Sequence, residues 1–198
     1  MKLDRTSLAA VVLVASANAA VAHVGGIPGG FASGFFHPLL GWDHVATMVA
    51  VGMWGAFLGR PALWLLPIVF LMVMAFGAAP GIAGIPLPHT ETGIALSSMV
   101  LGVMILLAVR APLWLAGVIV GVFVGVFAIC HGYAHGVELP DASNPFAFAL
   151  GFIISTGLLH LCGIGPGFLL GVPGGKYVVR GTGAVIALVG TAFLAGVM

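Results

Sequence analysis

The chain reads as an all-α protein, a polytopic membrane helix bundle with six transmembrane helices after a cleavable signal peptide. Composition is the first observation: 61% of the 198 residues are hydrophobic and only 6% charged, with a mean hydropathy of +1.24. Soluble domains carry about a quarter charged residues. The second is a succession of apolar stretches, each of about membrane-spanning length. The third is the placement of the cations, which fall on alternate connections between those stretches.

Residues 1–22 have the layout of a secretory signal, with Lys2 and Arg5 before an apolar run from Leu8 to Ala17 and small residues Ala20-Val21-Ala22 at its end. Cleavage there leaves His23 as the first residue of a single domain, 23–198. An uncleaved signal-anchor helix is the alternative, and either way the next segment begins outside the cytoplasm. After a Gly-rich approach from Gly25 to Gly34, spans are expected at about 35–59, 61–83, 91–109, 112–135, 145–170 and 178–197. Pro61, Pro112 and Pro145 sit where helix starts tolerate proline. The cytoplasmic connections hold Arg60, Arg110, Lys176 and Arg180, all the Lys and Arg after the signal, whereas the outer ones hold Glu91, Glu138 and Asp141. That is the positive-inside pattern of an inner-membrane protein with a periplasmic mature N-terminus. The 31 glycines fit close helix packing, and Gly117, Gly121 and Gly125 give the fourth span a flat face.

Charge and cysteine usage exclude other classes. A net charge of +1 without a basic region or zinc-finger spacing gives no footprint for nucleic acid. Cys130 and Cys162 both fall in expected spans and read as core thiols, not as a disulfide.

Two clusters carry the chemistry: His37 with Asp43-His44 at the start of the first span, and His131, His135 and Glu138 at the end of the fourth. Ionisable groups in hydrocarbon are costly and by default mark an ion or proton site. Imidazole and carboxylate suit borderline divalent ions such as nickel, cobalt and zinc. The topology puts both clusters, with His23, His89 and Glu91, at the outer face, while His160 lies roughly 20 Å into the fifth span. His131 and His135, four apart, share a helix face with Glu138 a further turn along, a spacing that can chelate one ion. His37 and His44 would be about 10 Å apart on a regular helix, but Pro38 biases His37 away from helical geometry and towards an approach loop. Asp43 is either a direct ligand or the acceptor that orients a histidine. Met48 and Cys130 offer sulfur but read first as packing, His89 and Glu91 as loop residues, and His160 equally as a histidine bonded across helices.

The motifs His37-Pro-Leu-Leu-Gly-Trp-Asp43-His44, followed by Met48 and Gly52, and His131-Gly-Tyr-Ala-His135-Gly-Val-Glu138 resemble those of the HupE/UreJ family of small bacterial membrane proteins. The resemblance covers essentially the whole mature chain. It implies a nickel or cobalt permease in which His37, Asp43, His44, His131, His135 and Glu138 are the motif residues, with handover to hydrogenase or urease maturation proteins. Where the family usually has Phe before the second motif, this chain has Cys130, which bears on metal preference.

The expectation is therefore a secondary permease moving Ni2+, next Co2+, with Zn2+ as a further candidate, from periplasm to cytoplasm, without a prosthetic group and without catalysis. No GxxxxGK[ST] loop is present for ATP. A membrane metalloenzyme would use the same side chains, but the chain lacks HExxH. A haem carrier would pair histidines from facing helices. A metal sensor or chaperone needs the same ligands as a permease and stays open on the sequence alone.

Overall fold

The computed structural model describes residues 30–109, 124–139 and 144–198, and every regular element among them is helical. In chain order these are α1 (Phe31–Leu40), α2 (Trp42–Leu58), α3 (Ala62–Ile82), α4 (Thr90–Leu106), α5 (Gly125–Glu138), α6 (Pro145–Gly167) and α7 (Gly175–Leu194). A 3-10 turn, Phe168–Gly171, extends α6. The expected signal peptide, His23, Arg110, Pro112, Gly117, Gly121 and Asp141 lie outside the described residues.

Among the described residues, three helices are long and apolar enough to cross a membrane: Ala62–Ile82, Pro145–Gly171 and Gly175–Leu194. Thr90–Leu106 is a shorter apolar helix of 17 residues. Only the later part of the expected fourth span is described, as α5. The outward faces are apolar, with Phe76, Phe146 and Leu188 all exposed, while Thr47, Ser97, Ser98, His131 and His160 are inside. This inversion of the soluble pattern is what a hydrocarbon solvent demands. The chain is a membrane protein.

The first expected span is two helices. Gly41 leaves the helical region (φ −92°, ψ 110°) and separates α1 from α2. His37 is therefore not in an approach loop: it lies inside α1, one residue before Pro38, which is also helical and buried. Packing of α1 against α6 outweighs the local preference, since Gly34 lets the α1 backbone approach the Phe148 carbonyl.

Close helix contacts then hold the bundle. α5 meets α3 through Gly132 and Gly136, where a side-chain carbon would collide with the carbonyls of Met74 and Ala78. α2 meets α6 at Gly52, which faces the backbone of His160. A buried hydroxyl cluster joins α2 to α4: Thr47 Oγ1 lies 2.7 Å from Ser98 Oγ and 3.0 Å from Ser97 Oγ. Ser98 donates to the Asp43 carbonyl at 3.0 Å. At the opposite end, Arg180 donates to the Leu106 carbonyl at 2.7 Å, satisfying an orphan group of the α4 terminus. Pro145 follows an N-cap, Asn144, whose side chain accepts from Ala147 N, as its place at a helix start led one to expect. Cys130 and Cys162 are free thiols.

Candidate metal centre

Four helix ends, those of α1, α2, α4 and α5, build one cavity. The C-terminal turns of α5 project His131, His135 and Glu138 towards α1, which carries His37, and towards the first turns of α2, which carry Asp43 and His44. The cavity has a volume of about 230 Å³ and is lined by all six of these residues together with Glu91. Glu91, placed by its sequence context in a loop, is in the first turn of α4 and shares with Asp43 a second cleft of about 420 Å³.

Within the cavity, the carboxylate of Glu138 stands between two imidazoles. His37 Nε2 is 2.9 Å and His135 Nδ1 3.4 Å from Glu138 Oε2. Among the described residues these three are the group of His, Cys, Asp and Glu whose ligand atoms all lie within 4.8 Å of one another. Burial works against a charge on Glu138, yet the hydrogen bonds from His135 and His37 outweigh it and hold the carboxyl at about 2. Glu138 is therefore ionised throughout the physiological range.

The network assigns the remaining nitrogens. With His135 Nδ1–H donating to Glu138, His135 Nε2 accepts from His44 Nδ1–H at 3.2 Å. His44 Nε2 then presents a lone pair, and it is buried without a partner. His131 Nδ1–H donates to the Phe127 carbonyl at 2.9 Å, leaving His131 Nε2 buried and unpartnered as well. The two rings are 5.4 Å apart. Neutral imidazoles whose other nitrogen is held by a fixed acceptor are the form in which histidine ligates a metal.

The structure thus rearranges the set read from spacing. His131, His135 and Glu138 come from one helix, but His131 is fully buried beside His44, while Glu138 is exposed and meets His37. His37 and His44 both reach His135, with ring centroids 5.1 and 4.9 Å away, because the break at Gly41 lets α1 turn towards α5. Asp43 Oδ1 accepts the backbone N–H of His44 at 2.8 Å, and the acceptor that orients imidazole rings is Glu138. Met48 is fully buried and Cys130 lies against Gly93, neither in the cavity lining. His89 is exposed and precedes α4 with a left-handed backbone, φ 62°. His160 is buried one layer deeper, with its ring 5.7 Å from that of Phe70. Sequence reasoning missed Phe152, whose ring lies 4.3 Å from His135 and 5.5 Å from His44. An apolar residue in an apolar helix gives no local signal.

Comparison with known proteins gives a family and a relative. The family model described as HupE / UreJ protein matches residues 10–193. Protein HupE of Rhizobium leguminosarum bv. viciae is 42% identical over 191 residues, covering 96% of each chain. No solved structure matches the chain. On a family match spanning nearly its whole length, and a relative aligned end to end, the chain belongs to the HupE / UreJ family.

Proposed function

We propose that this protein is a secondary permease for a divalent transition metal, nickel first and cobalt next, carrying it from periplasm to cytoplasm across the bacterial inner membrane. The observation that carries the reading is the His37, Glu138 and His135 triad, open to a 230 Å³ cavity and continued inward by the unpartnered nitrogens of His44 and His131. In this scheme six spans follow a cleaved signal, and Glu91, Asp43 and Glu138 draw the cation to the outer mouth. His23 assists capture. The hydrated ion exchanges water for imidazole nitrogen at the triad, passes to His44 and His131, and leaves past His160.

Zinc fits the same donors. Two charges moving through about 100 mV release roughly 4.6 kcal/mol, enough for facilitated uptake without ATP. The ligands lie at successive depths, which suits conduction better than a closed catalytic site, so the reading is a carrier and not an enzyme. The scheme ends with handover of the metal to hydrogenase or urease maturation proteins.

The test is uptake of radiolabelled nickel, and separately cobalt, into proteoliposomes with an inside-negative potential, comparing wild type with Asp43→Ala and His131→Ala. The reading expects metal-selective uptake that both substitutions abolish. Binding without uptake in folded, correctly oriented protein would turn the reading to a sensor or chaperone.

A further inference from the structure

Among the described residues, the buried side-chain nitrogens and oxygens without a hydrogen-bond partner fall on five side chains: His44, His131, Ser155, Thr156 and His160. Two belong to the outer cavity, and the other three lie within two turns of α6. His160 is the extreme case, 1% exposed with neither ring nitrogen partnered. Every imidazole of the outer cavity has at least one nitrogen bonded. Thr156 stands one turn before His160 on the same face, fully buried, with its hydroxyl unpartnered. Thr182 and Thr191 of α7, by contrast, return their hydroxyls to the carbonyl four residues back.

The stripe connects to the outer cavity. Phe152, one turn before Thr156, touches the rings of His37, His44 and His135, and His160 lies about 12 Å further along the helix. The Phe70 ring stands between His131 and His160, 5.7 Å from each centroid. A crevice of about 330 Å³ between α3 and α6 reaches His160. Buried polar groups in native proteins are satisfied, and the other buried hydroxyls among the described residues, those of Thr47, Thr90, Ser97 and Ser98, are bonded, so the open groups of α6 are held ready for a ligand.

We propose that His160 and the Thr156 hydroxyl form an inner station for the transported divalent cation, separate from the outer triad. The inference rests on the permease reading. One imidazole selects borderline ions over magnesium and calcium, which favour oxygen alone. With a neutral hydroxyl and no carboxylate, the station lets the ion keep part of its water and holds it more weakly than the triad does. An ion that has to leave for the cytoplasm needs that weakness.

The experiment uses the full chain in two formats. In lipid nanodiscs the protein is titrated with Co2+, whose visible absorption reports nitrogen and oxygen ligation; in proteoliposomes, uptake of radiolabelled nickel is followed. Wild type should take two ions and His160→Gln one, the tighter. The maximal uptake rate should fall about tenfold in His160→Gln with the half-saturation concentration unchanged, the mark of a step after capture. Thr156→Val should lower the rate about threefold and Thr156→Ser restore it, which a packing role would not give. If His160→Gln does not fold, the near-isosteric Thr156→Val and its rescue decide. Wild type binding a single ion, or variants that bind and transport as wild type does, would overturn the inner station and leave the permease reading standing. Wild type without uptake would overturn both.

Discussion

Glu138 receives hydrogen bonds from two histidines, one on its own helix and one on α1, a segment about a hundred residues earlier. The first is the i, i+3 neighbour that its spacing implies. The second, from His37, is tertiary. A carboxylate fixed this way sets which nitrogen of each ring carries the proton, and in the proposed permease it would neutralise an arriving cation. Glu138→Gln keeps the size but removes the charge, and should raise the half-saturation concentration for nickel uptake about 10- to 100-fold, the usual cost of losing such an orienting partner. Initial rates over a concentration series check it; an unchanged value would show that the carboxylate has no part in capture. At Thr47 the hydroxyl bonds two serines of α4 in a dry interior. Thr47→Val should cost about 0.5–1.5 kcal/mol of stability, one hydrogen bond, because Ser97 and Ser98 keep their bonds to the Ile94 and Asp43 carbonyls, read as a lower Tm in detergent. His131 teaches the limit of residue spacing. The i, i+4 relation to His135 is correct, but the facing helices bury one ring completely and leave the other beside an exposed carboxylate.

Helix contacts set how far each side chain can reach. α5 can present His131 and His135 to α1 and α2 only because Gly132 and Gly136, on its other side, press against the α3 backbone. Gly132→Val should therefore be strongly destabilising, by about 1–3 kcal/mol or more for overpacking, and should lose uptake with it. Gly157, also helical, has open space around its α-carbon. Gly157→Ala should leave both Tm and uptake near wild type, and equal damage from the two substitutions would mean that the α3–α5 contact is not what shapes the site. Gly132 and Gly136 are legible in the sequence as glycines next to histidines, but the α3 backbone that they meet is not. The break at Gly41 was similarly half-legible: Pro38 announced an irregularity, and packing moved it three residues on, keeping His37 helical.

Across the whole molecule, the outer cavity and the described cytoplasmic-side cations lie at opposite ends of the bundle in the proposed topology. Arg60→Cys should react with an impermeant thiol reagent only from the cytoplasmic side, in a background lacking Cys130 and Cys162; periplasmic labelling would invert the orientation. Charge coupling is a second test at this scale. Collapsing an inside-negative potential of about 100 mV should abolish an accumulation whose limit is over roughly a thousandfold for a divalent ion, whereas persistence driven by a pH gradient alone would establish proton antiport. The sequence by itself determined the membrane class, the helical content and the family, because hydropathy, alternating cations and two spaced motifs are properties of consecutive residues. It also named the candidate donors that the cavity brings together, since histidine and carboxylate stand out against hydrocarbon. Only the tertiary structure decided which of them meet. Partnership among His37, Glu138, His135, His44 and His131 depends on the rotation and close approach of helices far apart in the chain, and that geometry is set by packing along whole helix faces, of which a motif of eight residues records only a part.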